Sequence, residues 1–164
     1  RGQLWVNHFP YQVVEQGVRG FEADAQRRRL LLWRKDKLGV VEISALQHPE
    51  TLVDPDSLVR WVFQDGRGIE QAFWIYDDSH VLFRDGPTVF LLNVETPGES
   101  TPRRLFTGRP SSAIAYVEAA GTVYYLDQHT RRFSALELFS KVIRTASPPP
   151  ASHDRGSRVR TRPE

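Results

Sequence analysis

The sequence predicts an all-β fold made of consecutive antiparallel sheets. Three stretches read as the same hairpin: residues 30–43 (LLLWRKDKLGVVEI), 81–94 (VLFRDGPTVFLLNV) and 115–127 (AYVEAAGTVYYLD), each an apolar run, a short break and a second apolar run. The first two align without a gap at an offset of 51 residues, and repetition on this scale marks stacked supersecondary units. The runs are four to seven residues long and rich in Val, Leu, Phe, Tyr and Trp, as strands require. Several of them (residues 30–33, 89–92 and 123–126) do not alternate apolar with polar, whereas a sheet with one wet face should alternate. Both faces of these sheets are therefore expected to be covered. The alternative architecture is a single β-sandwich.

In chain order, the first unit comprises residues 21–25 (FEADA), 30–33, 38–43 and 58–63, with Asp54-Pro55-Asp56 marking a loop. The second comprises 73–76 (FWIY), the turn Asp77-Asp78-Ser79, then 81–83, 89–94 and 103–106. Asp85-Gly86-Pro87 suits a tight hairpin, since glycine accepts positive φ with little strain. Asp65-Gly66-Arg67-Gly68, Thr96-Pro97-Gly98 and Ala120-Gly121 also carry turn chemistry. The third unit has two registers. Matching Thr122-Val123-Tyr124-Tyr125-Leu126 to residues 88–92 gives an offset of 34, and matching it to residues 80–84 gives 42. The first has better residue identity and is preferred, with a shortened opening strand near residues 109–113. Residues 136–144 (LELFSKVIR) place Leu138, Val142 and Phe139 at helical spacing and read as a short helix or a last strand.

Residues 73–108 (FWIYDDSHVLFRDGPTVFLLNVETPGESTPRRLFTG) resemble a blade of the WD-like and Tol-type bacterial β-propellers. The resemblance spans about residues 20–140. It implies a β-propeller or a fragment of one, in which each small sheet is sandwiched between its neighbours. The Gly-His and Trp-Asp dipeptides of true WD repeats are missing. Three units do not close a ring of four to eight blades, so further blades from a longer parent chain are expected, and terminal sheets standing alone would expose apolar faces. The first residue is Arg1, and the chain contains no Met, which reads as a processed product or an excised piece.

The chain has 164 residues, no Cys and a net charge of +2. Disulfides and thiolate metal sites are excluded, and no run is long enough to span a bilayer. Arg155, Arg158, Arg160 and Arg162 against Asp154 and Glu164 supply the whole net charge, leaving residues 1–145 neutral. The expected organisation is a repeat body over residues 1–145 and a Pro/Arg-rich tail over 146–164. That tail is expected to be disordered or extended, since three successive prolines favour polyproline II and almost nothing apolar follows them.

No constellation specifies a reaction. Asp77-Asp78-Ser79-His80 is the densest polar cluster and could bind a cation or supply acid–base groups; as a turn, its side chains would cap backbone instead. His8, His48, His80, His129 and His153 form no metal-ligand spacing. Gly66-Arg67-Gly68 is too short for a phosphate loop. Arg27-Arg28-Arg29 and Arg103-Arg104 abut strands and read as edge protection against unwanted pairing rather than a nucleic-acid surface. Trp33, Trp61, Phe73, Trp74, Tyr76, Phe83 and Phe90 fall on strand positions and read as core, whereas Trp5 and Tyr11 would lie exposed at an edge. The expected function is thus a non-enzymatic scaffold or protein-interaction module with a protein partner, with no catalytic, cofactor-binding or metal-binding residues assigned and no nucleic-acid partner. The alternative is the propeller portion of a hydrolase acting on glycans or peptides, which would need Asp77, Asp78, Asp85 and Asp127 to converge.

Overall fold

The computed structural model describes residues 2–6, 12–47, 58–95 and 101–138, and these are almost entirely strand and turn. β1 (Gly2–Val6) pairs antiparallel with β2 (Gln12–Val18). β3 (Gly20–Ala23), β4 (Arg29–Trp33), β5 (Leu38–Glu42) and β6 (Arg60–Phe63) then form a four-stranded sheet in chain order. A single helical turn, α1 (Ile43–Gln47), leaves β5 where continued strand was expected at Ile43. The next sheet repeats the pattern with β7 (Ile69–Ile75), β8 (His80–Asp85), β9 (Thr88–Asn93) and β10 (Arg103–Thr107). A three-stranded sheet follows: β11 (Ala115–Val117), β12 (Thr122–Leu126) and β13 (Phe133–Glu137). The chain is therefore all-β, a succession of antiparallel meanders like propeller blades. The sandwich alternative fails because the described strands fall into four successive sheets rather than two facing ones.

Side-chain parity explains the unbroken apolar runs. Adjacent residues on a strand point to opposite faces, and here each face meets a different neighbouring sheet. On β4, Leu31 packs toward the second sheet with Val81 and Phe83, while Leu32 packs toward the N-terminal hairpin with Val14. On β8, Val81 and Phe83 face the first sheet, and Leu82 faces the third with Ile114 and Val123. Phe83 is fully buried between Phe63 and Phe90, with ring centroids at 5.1 and 5.2 Å. Tight approach also shapes the first sheet: a Cβ on Gly20 would lie 2.2 Å from Trp33, so only glycine admits the indole there.

The hairpin β8–β9 turns on Gly86 (φ +57°) and Pro87. Proline cannot take positive φ, so this is the arrangement in which only the first central residue does.

Two expectations need correction. The third unit follows the 42-residue offset, not 34. β11 corresponds to Phe73-Trp74-Ile75, the connection Glu118–Ala120 plus Gly121 to residues 76–79, and β12 to residues 80–84. Residues 109–113 form a turn, not an opening strand. Both registers pair a Val/Tyr/Leu-rich run with another of the same character, so side-chain identity could not separate them; only strand pairing does. The third hairpin is consequently the first one of its sheet, whereas the other two are the second of theirs. Of residues 136–144, read as a short helix or a last strand, Leu136 and Glu137 belong to β13 and Leu138 N–H donates to Gly121 O (2.8 Å), which fits the strand; residues 139–144 lie outside the described residues.

The last sheet has one face uncovered by the other described residues. Val117 and Phe133 are exposed, Phe133 by 74 %, and Tyr124 stacks on Phe133 at 5.7 Å. Trp5 at the other end of the array is also exposed. Tyr76, expected in the core, sits exposed in the β7–β8 turn.

Candidate functional site

A meander sends alternate connections to opposite ends of its sheets. Residues 34–37, 64–68, 86–87, 108–114 and 127–132, with the junction at Arg19, emerge at one end; residues 24–28, 76–79 and 118–121 emerge at the other. The first end is sewn together by backbone bonds between neighbouring connections. Gly66 N–H donates to Asp36 O (2.9 Å), Ile69 N–H to Lys35 O (2.8 Å) and Gly86 N–H to Gly68 O (3.2 Å).

At that end lies a cleft of about 700 Å³ between the N-terminal hairpin and the first sheet. Its polar lining comes from Arg19, Arg34, Lys35, Asp36 and Arg67. Arg34 is positioned by Glu15 (Nη1–Oε1, 3.1 Å) and Asp36 (Nε–Oδ1, 3.7 Å). Arg19 donates Nη1–H to Ile69 O at 3.1 Å. Arg67 is anchored through its backbone, whose N–H reaches both Asp85 carboxylate oxygens at 3.0 Å. Lys35 and the Arg67 guanidinium have no side-chain partner among the described residues. Sequence reading missed this site because its cations come from three separate connections. The available signal was meander parity, which sends Arg19, Arg34, Lys35 and Arg67 to the same end.

The carboxylates weighed for catalysis do not converge. Asp78 and Asp85 stand at opposite ends of β8, about 20 Å apart at the rise of an extended strand. Asp78 accepts from Ala25 N–H (3.0 Å), tying the second sheet to the first. Asp85 caps Arg67 and Gly68, the latter at 2.5 Å. Asp127 caps its own turn, accepting from His129 N–H (2.9 Å), Thr130 N–H (2.7 Å) and Thr130 Oγ1–H (2.9 Å). Those Thr130 bonds lower its pKa. Tyr76, Asp77 and Asp78 all take positive φ, in line with a turn-forming role for the cluster. His80 contacts Ser79 Oγ at 2.8 Å and the edge of Tyr76, and burial depresses its pKa against the pull of Glu95. No group of three or more metal-ligating side chains gathers among the described residues. His8, His48, His153 and Tyr11 lie outside them.

The arginine clusters divide. Arg103 and Arg104 are exposed on β10, an edge strand, as edge protection predicts. Arg29 instead ties two sheets together: it reaches Asp24 (3.3 Å), Glu95 (3.1 Å) and Asp78 O (2.6 Å), and stacks over Trp74 at 4.8 Å. Burial alone would raise the Asp24 pKa, but the N–H groups of Arg29 and Arg28 and the Arg29 guanidinium outweigh it and hold the carboxyl below its usual range. Glu22, whose backbone carbonyl accepts from Trp74 Nε1–H (3.2 Å), is shifted up by burial and by the charge of Asp78. Burial and the neighbouring Glu118 push the Tyr116 hydroxyl up to about 12.

No family model matches the chain, and no curated protein matches it. Among solved structures it is similar to the periplasmic gluconolactonase PpgL of Pseudomonas aeruginosa, at 14 % identity and a TM-score of 0.45. That likeness covers 73 % of this chain and 40 % of the other, so this chain spans less than half the length of that protein. No described helix is long and apolar enough to cross a membrane.

Proposed function

We propose that the chain is a non-enzymatic interaction module of propeller-like sheets, which meets a protein partner through the end that carries the basic cleft. The supporting observation is the use of the carboxylates: Asp78, Asp85 and Asp127 are each engaged in capping backbone, and they are split between the two ends of the sheets. A glycan or peptide hydrolase needs paired carboxyls within roughly 5–10 Å across one cleft. The cleft end, by contrast, joins neighbouring connections into one bonded surface, the usual place for recognition on a rigid scaffold. Residues 1–145 form the recognition body in this reading and residues 146–164 a linker. Further sheets from a longer parent chain cover the open face of β11–β13, and nucleic acid is not the partner.

Photo-crosslinking side chains placed at Arg67, Pro87 and Thr130 on the cleft end, and at Arg27 and Ala119 on the other, test the proposal in the producing cells. The expected result is one partner crosslinked from the cleft end alone, identified by mass spectrometry and then bound by the purified chain in calorimetry. Adducts independent of the end, or turnover of a glycoside or peptide panel that Asp77→Asn, Asp78→Asn, Asp85→Asn or Asp127→Asn abolishes, would refute it.

A further inference from the structure

We propose that the cleft between the N-terminal hairpin and the first sheet receives a short acidic peptide segment, its carboxylates seated among Arg19, Arg34, Lys35 and Arg67. This rests on the interaction-module reading and gives the partner a chemistry. Arg19 comes from the β2–β3 junction, Arg34 and Lys35 from the β4–β5 turn, and Arg67 from the β6–β7 connection, yet all four line one cleft of about 700 Å³. Against them stand Asp36 in the lining, Glu15 beside Arg34 and Asp85 at the Arg67 backbone, so the site retains one positive charge. Residues 1–145 are neutral overall, which makes this a local excess rather than a share of general basicity.

The cations are also arranged to recognise. A guanidinium has five N–H donors in a planar fork that matches a carboxylate. The hydrogen bond from Arg34 to Glu15, its ion pair with Asp36 and the bond from Arg19 to Ile69 O orient both forks and leave donors unused. Gly17, at φ +73°, sits beside Arg34, its missing Cβ 3.7 Å from Nε, and Gly2 and Gly66 contribute backbone to the lining. Alternate side chains of an extended segment fall on one side about 7 Å apart, a spacing that can span separate cations. Nucleic acid fits less well: among the described residues no aromatic side chain lines the cleft to stack a base, and Asp36 would repel a phosphate backbone.

The test is fluorescence anisotropy of the full chain with a labelled Glu-Ser-Glu-Ser-Glu-Ser-Glu-Ser peptide at low and high salt. The matching Lys-Ser peptide, single-stranded oligothymidylate and inorganic tripolyphosphate are run beside it. The acidic peptide is expected to bind with marked salt sensitivity, and the Lys-Ser peptide not at all. The Lys35→Glu/Arg67→Glu variant should weaken binding roughly tenfold or more, since reversed charges both remove attraction and add repulsion. The Arg27→Glu/Arg28→Glu variant, at the opposite end of β4 from Arg34 and about 17 Å away along the strand, should bind within about twofold of the parent at about 0.15 M salt, where that separation exceeds a Debye length. Unchanged melting temperatures show that both variants fold. Equal loss in the two variants, no acidic-peptide binding at low salt, or tighter binding of oligothymidylate or tripolyphosphate would overturn the proposal. Failure here with crosslinking from the cleft end intact would remove the acidic-peptide chemistry and leave the interaction module standing.

Discussion

Arg84→Met should destabilise the body by about 2–4 kcal/mol and loosen the third sheet first. The Arg84 side chain is only 3 % exposed, at the junction of the second and third sheets. Its Nε–H donates to Gly86 O at 2.8 Å, Nη2–H to Arg109 O at 3.3 Å, and Nη1–H to Ser112 O. Hydrogen bonds from a charged donor contribute about 1.5–3 kcal/mol each, so the gross loss is about 4–9 kcal/mol. Two effects reduce it. Arg109 is exposed and Gly86 and Ser112 are half-buried, so their carbonyls can turn to water, and removing the guanidinium also removes its desolvation penalty. The ion pair with Glu70 (3.3 Å) adds about 1 kcal/mol at most, because Glu70 is 43 % exposed. At about 4 °C per kcal/mol the melting temperature should fall by about 8–16 °C. Urea and thermal unfolding of the parent, Arg84→Met, Arg84→Lys and Glu70→Gln give the comparison, with amide exchange over residues 109–114 reporting where the loosening begins. Lysine keeps the charge but not the fork, and should recover less than half of the loss. A loss below about 1 kcal/mol in Arg84→Met, or an equal loss in Glu70→Gln, would refute the view that the carbonyl ties carry the junction.

Phe83→Ala should lose about 3–5 kcal/mol in a denaturant titration, since it opens a cavity between Phe63 and Phe90 in the first inter-sheet core; a change under about 1 kcal/mol would mean that the neighbours collapse into the space. Asp24 predicts acid sensitivity: its folded pKa lies below 3.8, so its stabilisation is present above that value and fades as pH falls through the lower folded pKa. Asp24→Asn should therefore be less stable at neutral pH and show a shallower acid limb in urea midpoints taken from about pH 6 to 2. An acid limb identical to the parent's would count against it. Truncation after Thr145 should leave stability within about 0.5 kcal/mol by urea titration, as for surface changes away from special features, because the removed segment offers only Val159 as an aliphatic side chain larger than Ala. A loss above about 2 kcal/mol would show that the tail docks on the body.

Much of the fold was legible because its signals are local. Gly86-Pro87 specifies a tight turn from its own φ limits, and the gapless 51-residue repeat between β4–β5 and β8–β9 reflects the same strand pairing register used twice, although Lys35-Asp36 turns without the positive φ of Gly86. Arg29 and Arg84 were harder to read. Each lies in or beside a strand like any edge-protecting arginine, but their partners are 49, 66, 25 and 28 residues away, and nothing nearby in sequence announces a distant backbone carbonyl.

What the sequence by itself determined is the class and the layering. Unbroken apolar runs require sheets covered on both faces, and short runs between turn residues require meanders. Both follow from the two-residue period of a strand and the φ preferences of Gly, Pro and Asp. Only the tertiary structure decided the register of the third sheet and the site. Residues 122–126 match two earlier strands in hydrophobic character, and the choice is made by pairing with β11 and β13, a matter of hydrogen bonds between strands rather than of side chains along one. The basic cleft likewise exists only once β1 and β2 stand beside the first sheet, which brings Arg19, Arg34, Lys35 and Arg67 to one end across 48 residues of chain. Charges become a site through their separation in space, and that separation is set by packing.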